Sequence, residues 1–242
     1  MSYTAAPIIG PPGIQAAARV TFRQVFYGGA DGYLNFPGGA YVAGAIARDP
    51  ANVGNEDVLQ VGMMLGRATS GSYSGYFGVS IIGVLTGAVS ASGTSVTVSA
   101  AQATEVVRRI GSTGTIRLVG PPTANGTVAT FTETYSAVNT TTGVITTSSL
   151  DADLVAGSFV CANDGTYLPI SFISEPESGF KVTDNTGANT LAQWWRVPIA
   201  GIVDQSKLLP VWPTDTSLQA WIVASLNATA GAKFVFQYGI TG

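Results

Sequence analysis

Apolar positions along this chain recur mostly at every second residue, in short runs closed by glycine, serine or asparagine. Such a pattern predicts strands with one buried and one wetted face. TIRLV (Thr115–Val119) sets Ile116 and Leu118 on one side. TVATFTETYSAV sets Phe131, Tyr135 and Ala137 on one side, and VITTSSL returns after the polar turn NTTTG. Gly143 in that turn is free to take the positive φ that a tight hairpin requires. AGSFVCANDGTYLPISFISE (Ala156–Glu175) reads as strand, Asn-Asp-Gly turn, strand. Threonine is abundant in these runs because a β-branched side chain suits a pleated, half-exposed surface.

One stretch breaks the two-residue period. In SAAQATEVVRRIG the apolar residues Ala103, Val106, Val107 and Ile110 fall at i, i+3, i+4 and i+7, one face of a helix over 99–110. Ser99 followed by Gln102 is a capping-box pattern. Arg108 and Arg109 sit in the last turn, where cations oppose the helix dipole, and Gly111 can close the helix. An anion site at the arginine pair is the weaker reading of the same residues.

The ends differ from the middle. Residues 1–18 carry APIIGPPGIQAAA, proline-rich and apolar, and read as an extended arm. From Arg19 the β pattern begins, and a β-barrel or β-sandwich region is expected over 19–177, with a helix-and-hairpin unit inserted at about 93–155. GGADGYLNFPGG (Gly28–Gly39) reads as a bend, and Asp49–Val58 as a turn-rich loop. All four tryptophans, Trp194, Trp195, Trp212 and Trp221, follow residue 178, so 178–242 is expected to be a tryptophan-rich β region, either separate or packed on the first. The fold class expected is mainly β, with one short helix and an extended N-terminal arm.

Composition narrows what such a chain can do. Charged residues make up 10%, against the ~25% usual for soluble proteins. The surface must therefore be polar but uncharged, or covered by partners. Net charge is −3 and the only lysines are Lys181, Lys207 and Lys233, which argues against a nucleic-acid partner. No apolar run of ~18 residues suggests a membrane-spanning helix, and the first residues lack the basic and apolar regions of a secretion signal. The single cysteine, Cys161, cannot form an internal disulfide and fits assembly in a reducing cytoplasm.

Histidine is absent, which removes the usual base at neutral pH and the commonest transition-metal ligand. The carboxylate pairs Glu56-Asp57, Asp151 with Asp153, and Glu175 with Glu177 are neighbours in polar loops. Opposed carboxylates across a cleft are what glycoside hydrolysis needs. Asp151, Asp153, Asn163 and Asp164 could donate oxygens to calcium, but without a recognised spacing, so turn formation is the plainer reading. Cys161 lies in an apolar run and reads as a small buried hydrophobe. No catalytic, cofactor or metal residue is expected.

The order of elements from Asp57 to Ser174 resembles the head decoration proteins of tailed bacteriophages. VGMMLGRATSGSY, then VTVSAAQATEVVRRIGSTGTIRLVG, YSAVNTTTGVITTSSL and VAGSFVCANDGTYLPISFI carry the likeness, over roughly half the chain. The resemblance implies a non-enzymatic capsid-stabilising protein with a barrel or sandwich of tulip-like form. It also implies a homotrimer on the capsid exterior, bound to the lattice of the major capsid protein. Composition then suggests Ile8, Ile9, Pro11, Pro12 and Ile14 of the arm as capsid contacts, and Trp194 and Trp212 as contacts between protomers. A tail or fibre protein that stacks host sugar on its tryptophans is the alternative, followed by a β-sandwich glycosidase or lyase and by a major shell protein.

Overall fold

The computed structural model describes residues 25–26, 33–121, 128–174, 180–184, 186–194, 196–210, 212–228 and 232–237. The arm positions Ile8, Ile9, Pro11, Pro12 and Ile14 lie outside them, as do Glu175, Glu177 and Trp195. Strands come first: β1 (Tyr33–Asn35), β2 (Ala40–Ala43), β3 (Val58–Leu59), β4 (Met64–Arg67), β5 (Phe77–Val79), β6 (Gly83–Val84) and β7 (Ser95–Thr97). Helix α1 (Ala100–Arg109) follows, then β8 (Gly114–Gly120), β9 (Ala129–Asn139), β10 (Val144–Thr147), β11 (Phe159–Ala162) and β12 (Ser171–Phe172). The chain continues through β13 (Phe180–Lys181), β14 (Leu191–Trp194), β15 (Pro198–Asp204), α2 (Thr216–Asn227) and β16 (Lys233–Gln237).

Among the described residues strand accounts for 39% and helix, short 3-10 turns included, for 15%, so the protein is mainly β, of the barrel or sandwich class, with a curled half-barrel sheet. A six-stranded sheet runs β6-β11-β8-β9-β10-β7 and a five-stranded sheet β12-β4-β5-β2-β14. A three-stranded sheet runs β1-β15-β16, and β13 pairs with β3. All pairings are antiparallel except β15 with β16 and β2 with β5.

Helix α1 and the β9–β10 hairpin form where the sequence pattern predicts them. The Ser99 hydroxyl accepts from the Gln102 amide and the Gln102 side chain accepts from the Ser99 amide, both at 3.2 Å, closing the capping box. Ala103 and Val106 face the sheet and are fully buried against Ile116, Leu118, Tyr135 and Ile145. The Tyr135 hydroxyl donates to the Gly111 carbonyl at 2.7 Å, tying the end of α1 to β9. Across the hairpin, the Asn139 side chain accepts from the amides of Thr141 and Thr142, and Gly143 has φ +78°. A Cβ on Gly143 would stand 1.9 Å from the Val98 carbonyl oxygen, so bare backbone lets the turn close on the strand before α1. Glu133, passed over between Phe131 and Tyr135, points inward with them. It is buried and accepts from the Ser148 hydroxyl and the Asp151 amide.

The tryptophan-rich end departs from a purely β expectation. TSLQAWIVASLN forms α2, a second helix. Asp215 caps it, accepting from the amides of Ser217 and Leu218, and Leu218, Ile222 and Leu226 form one fully buried stripe four residues apart. That stripe packs with Val203, Phe234, Phe159 and Phe172. β14, from beyond residue 178, pairs with β2 in the five-stranded sheet, so the two parts of the chain share a sheet as well as a core.

Ser99→Ala is expected to lower stability by about 1 kcal/mol through loss of the cap. Gly143→Ala should cost more, about 2 kcal/mol or greater, because it adds both strain and a clash. Urea unfolding of the two variants checks the order.

Candidate functional site

The three-stranded sheet β1-β15-β16 buries one face and leaves the other open. Phe234 and Val203 point inward, within an aromatic group in which Phe172 lies 5.3 Å from both Phe26 and Phe234. Register places Leu34 beside Ala200, Ala200 beside Lys233, and Ile202 beside Val235 on the opposite face. Leu34 is 66% exposed, Val235 54% and Ile202 41%. Phe36, just past β1, is equally open, and Tyr41 and Leu191 are exposed on the β2–β14 pair. Alternation in KFVFQ produces this arrangement: every second residue is spent on the core, which leaves the valine outside.

The chain preceding this sheet joins it directly. The Val25 carbonyl accepts from the Asp204 amide at 2.7 Å, and Phe26 bridges Val203. Val25 and Phe26 thus lie alongside β15, buried in the core.

Two expected contact residues are placed by the structure. Trp194 is fully buried inside the protomer, its ring edge-on to Phe77 at 5.7 Å. Its proposed role between protomers is corrected: β14 aims it into the core with Leu59, Leu65 and Val182. Trp212 is half-buried and stacks on Phe236 with centroids 6.0 Å apart. Trp221 is half-buried against Phe159.

The candidate chemical groups are occupied in separate places. The Glu56 carboxylate accepts from the Gly54 amide, and that bond holds it below the usual carboxylate range. Asp57 is lowered chiefly by its hydrogen bond from the Thr183 hydroxyl. Asp153 accepts from the Ala91 amide. Cys161 is fully buried, and burial pushes its thiol up to about 12, which keeps it protonated and inert at neutral pH.

The arginine pair is built into the fold. Arg108 forks onto both oxygens of Glu105 and donates to the Ala45 carbonyl. Arg109, its side chain only 2% exposed, donates to the Val79 carbonyl at 2.6 Å, to Asp164 at 2.9 Å and to the Thr166 hydroxyl at 2.6 Å. One guanidinium thus ties the end of α1 to β5 and to the Asn163-Asp164-Gly165 turn. Burial by itself would raise the Asp164 carboxyl. The Arg109 charge and the bonds from Thr166 outweigh it and hold the group low.

Comparison of the chain with protein-family models, with curated proteins and with solved structures finds no match.

Asp164→Asn leaves a buried guanidinium without its counter-charge. The expected loss is about 2–3 kcal/mol, below the ~3–5 of a fully enclosed pair because Asp164 is partly exposed. The carboxyl is depressed in the folded state, so its contribution is present above the unfolded value of about 3.9 and lost as pH falls through the lower folded value. Chemical denaturation across the acid range should show a shallower acid limb in Asp164→Asn than in the parent.

Proposed function

We propose that the chain is a non-enzymatic structural protein of a tailed-phage virion that binds the exterior of the assembled capsid and stabilises it. The observation that supports this reading best is the open apolar face of β1-β15-β16. A contiguous exposed apolar face on a soluble chain is a mark of an interaction surface. Its neighbours are few in charge: Lys233 and Gln237 flank Val235 on the same strand. A partner can cover such a face with little charge desolvation, which suits a lattice of capsid subunits.

The mechanism rests on linkage. A protein that binds the assembled shell better than free subunits raises the free energy of disassembly by its binding free energy. Repetition over the lattice multiplies modest contacts. In this reading the protein is a homotrimer, the arm residues Ile8, Ile9, Pro11, Pro12 and Ile14 lie on adjacent capsid subunits, and the sheet face supplies the fixed contact. Of Trp194 and Trp212, only Trp212, half-buried at the edge of the core, is open to a neighbouring protomer. No nucleic acid, membrane or cofactor enters the reading.

Light scattering should give the mass of a trimer, and the protein should co-sediment with cognate empty capsids. A monomer indifferent to capsids would overturn the proposal. Leu34→Lys and Val235→Lys should each weaken capsid binding by about 1.5–3 kcal/mol, roughly tenfold or more, with unchanged thermal stability. Deleting residues 2–14 should weaken binding while the fold persists; unchanged binding would remove the arm from the mechanism.

A further inference from the structure

A second feature is independent of the apolar face. Five remote segments meet around an open cavity of about 470 Å³, within the ~300–1,000 Å³ typical of small-ligand sites. Arg48 comes from the loop after β2, and Ser70-Gly71-Ser72-Tyr73 from the loop between β4 and β5. Arg108 and Arg109 end α1, Asp164 follows β11, and Asn189 precedes β14.

The charges of this wall divide into spent and unspent. Asp164 uses one oxygen on Arg109 and the other on the amide and hydroxyl of Thr166. Arg108 is neutralised by the two oxygens of Glu105. Arg48 is different. Its Nη2 donates to the Asn189 side-chain oxygen at 2.6 Å, and no carboxylate lies within ion-pair distance among the described residues. It acts on Glu56 and Asp57 only through longer-range attraction. Its Nε is buried and meets no acceptor, and the Nε of Arg109 is in the same condition. Two buried guanidinium nitrogens beside the cavity thus lack acceptors, and Arg48 also lacks a carboxylate within ion-pair distance among the described residues.

We infer that this cavity binds a carboxylate, carried by a ligand group of about monosaccharide or amino-acid size, with Arg48 as its principal partner. A carboxylate is acceptor-only and planar, and matches the guanidinium fork with two parallel hydrogen bonds. The hydroxyls of Ser70, Ser72 and Tyr73 line the same cavity and can bond the remainder of the ligand. A neutral sugar would leave Arg48 without a direct ion-pair partner, so charge, rather than hydroxyl count, sets the preference. The carboxylate could arrive on a free sugar acid or on an acidic side chain of a neighbouring protein.

The test is a heteronuclear NMR titration of the isolated full chain with sodium glucuronate and, separately, N-acetylglutamate amide. Glucose and matched sodium chloride serve as controls. The expected result is saturable shifts of the Arg48 Nε–H and the Ser70–Tyr73 amides with at least one acid, at millimolar affinity, and none with the controls. Binding by glucuronate alone identifies a sugar acid as the source. Binding by the glutamate probe identifies an acidic side chain. Arg48→Gln should weaken that binding by roughly tenfold or more. Arg48→Lys, which keeps the charge and loses the fork, should weaken it as well and serves if the glutamine variant does not fold. Absence of saturable shifts with both acids overturns the inference, as do equal shifts with glucose or undiminished binding in a folded Arg48 variant. Because the chain is tested alone, failure here leaves the capsid reading untouched, and capsid binding leaves this one untouched.

Discussion

β11 has no side open to water. Phe159 and Cys161 enter one core with the stripe of α2 and the inner face of β15-β16, while Val160 and Ala162 enter the other with α1 and the β9–β10 hairpin. Burial on both faces of four consecutive residues is the constraint that the two halves of the protein share. A strand of this kind reads as a continuous apolar run, as FVCA does. At about 0.8 kcal/mol per buried methylene, the two cores supply most of what opposes chain entropy in this charge-poor protein. The fate of Cys161 follows from the same constraint: it is in the strand because it is small and apolar there, and the environment that accepts it also suppresses its thiolate.

The scarcity of charge looks different once the charges are placed. Arg109 and Asp164 are consumed in joining α1 to β5 and to the turn after β11, and Glu105 is consumed by Arg108. Glu133 is held inside the hairpin by Ser148. These four charges and the Arg108 partner of Glu105 thus act as internal ties within the fold. The outward positions of β9, Thr132, Thr134 and Ser136, are left uncharged and exposed. An ion pair at such a tie contributes through what its removal would strand, a buried guanidinium, more than through its Coulomb attraction.

Legibility in the sequence followed the range of the interactions. α1 could be located because its cap, its apolar face and its closing glycine lie within thirteen residues of chain, from Ser99 to Gly111. The hairpin closed by Gly143 was readable for the same reason. α2 was obscured by Trp221, Ile222 and Val223, residues that favour strands, although Asp215 followed by Leu218, Ile222 and Leu226 carried a four-residue period. Alternation could show that the two sides of a strand around Trp194 differ, but which side is the core is decided by β2 and β5, far away in sequence. The open face of β1-β15-β16 and the Arg48 cavity gather residues separated by more than a hundred positions, and no local pattern marks them.

The two surfaces also differ in what they could confer. Apolar contact along Leu34, Ile202 and Val235 is strong per area and weakly directional, so it tolerates small shifts of a partner and supplies affinity. A guanidinium facing a carboxylate is directional and carries a penalty when unmatched, so it supplies selectivity. Lys233 and Gln237 interrupt the apolar face on either side of Val235, whereas a fully apolar surface of the same reach would invite self-association. Few charges, together with an arginine beside a cavity that has no carboxylate within ion-pair distance among the described residues, are consistent with a surface whose affinity is non-polar and whose discrimination is electrostatic.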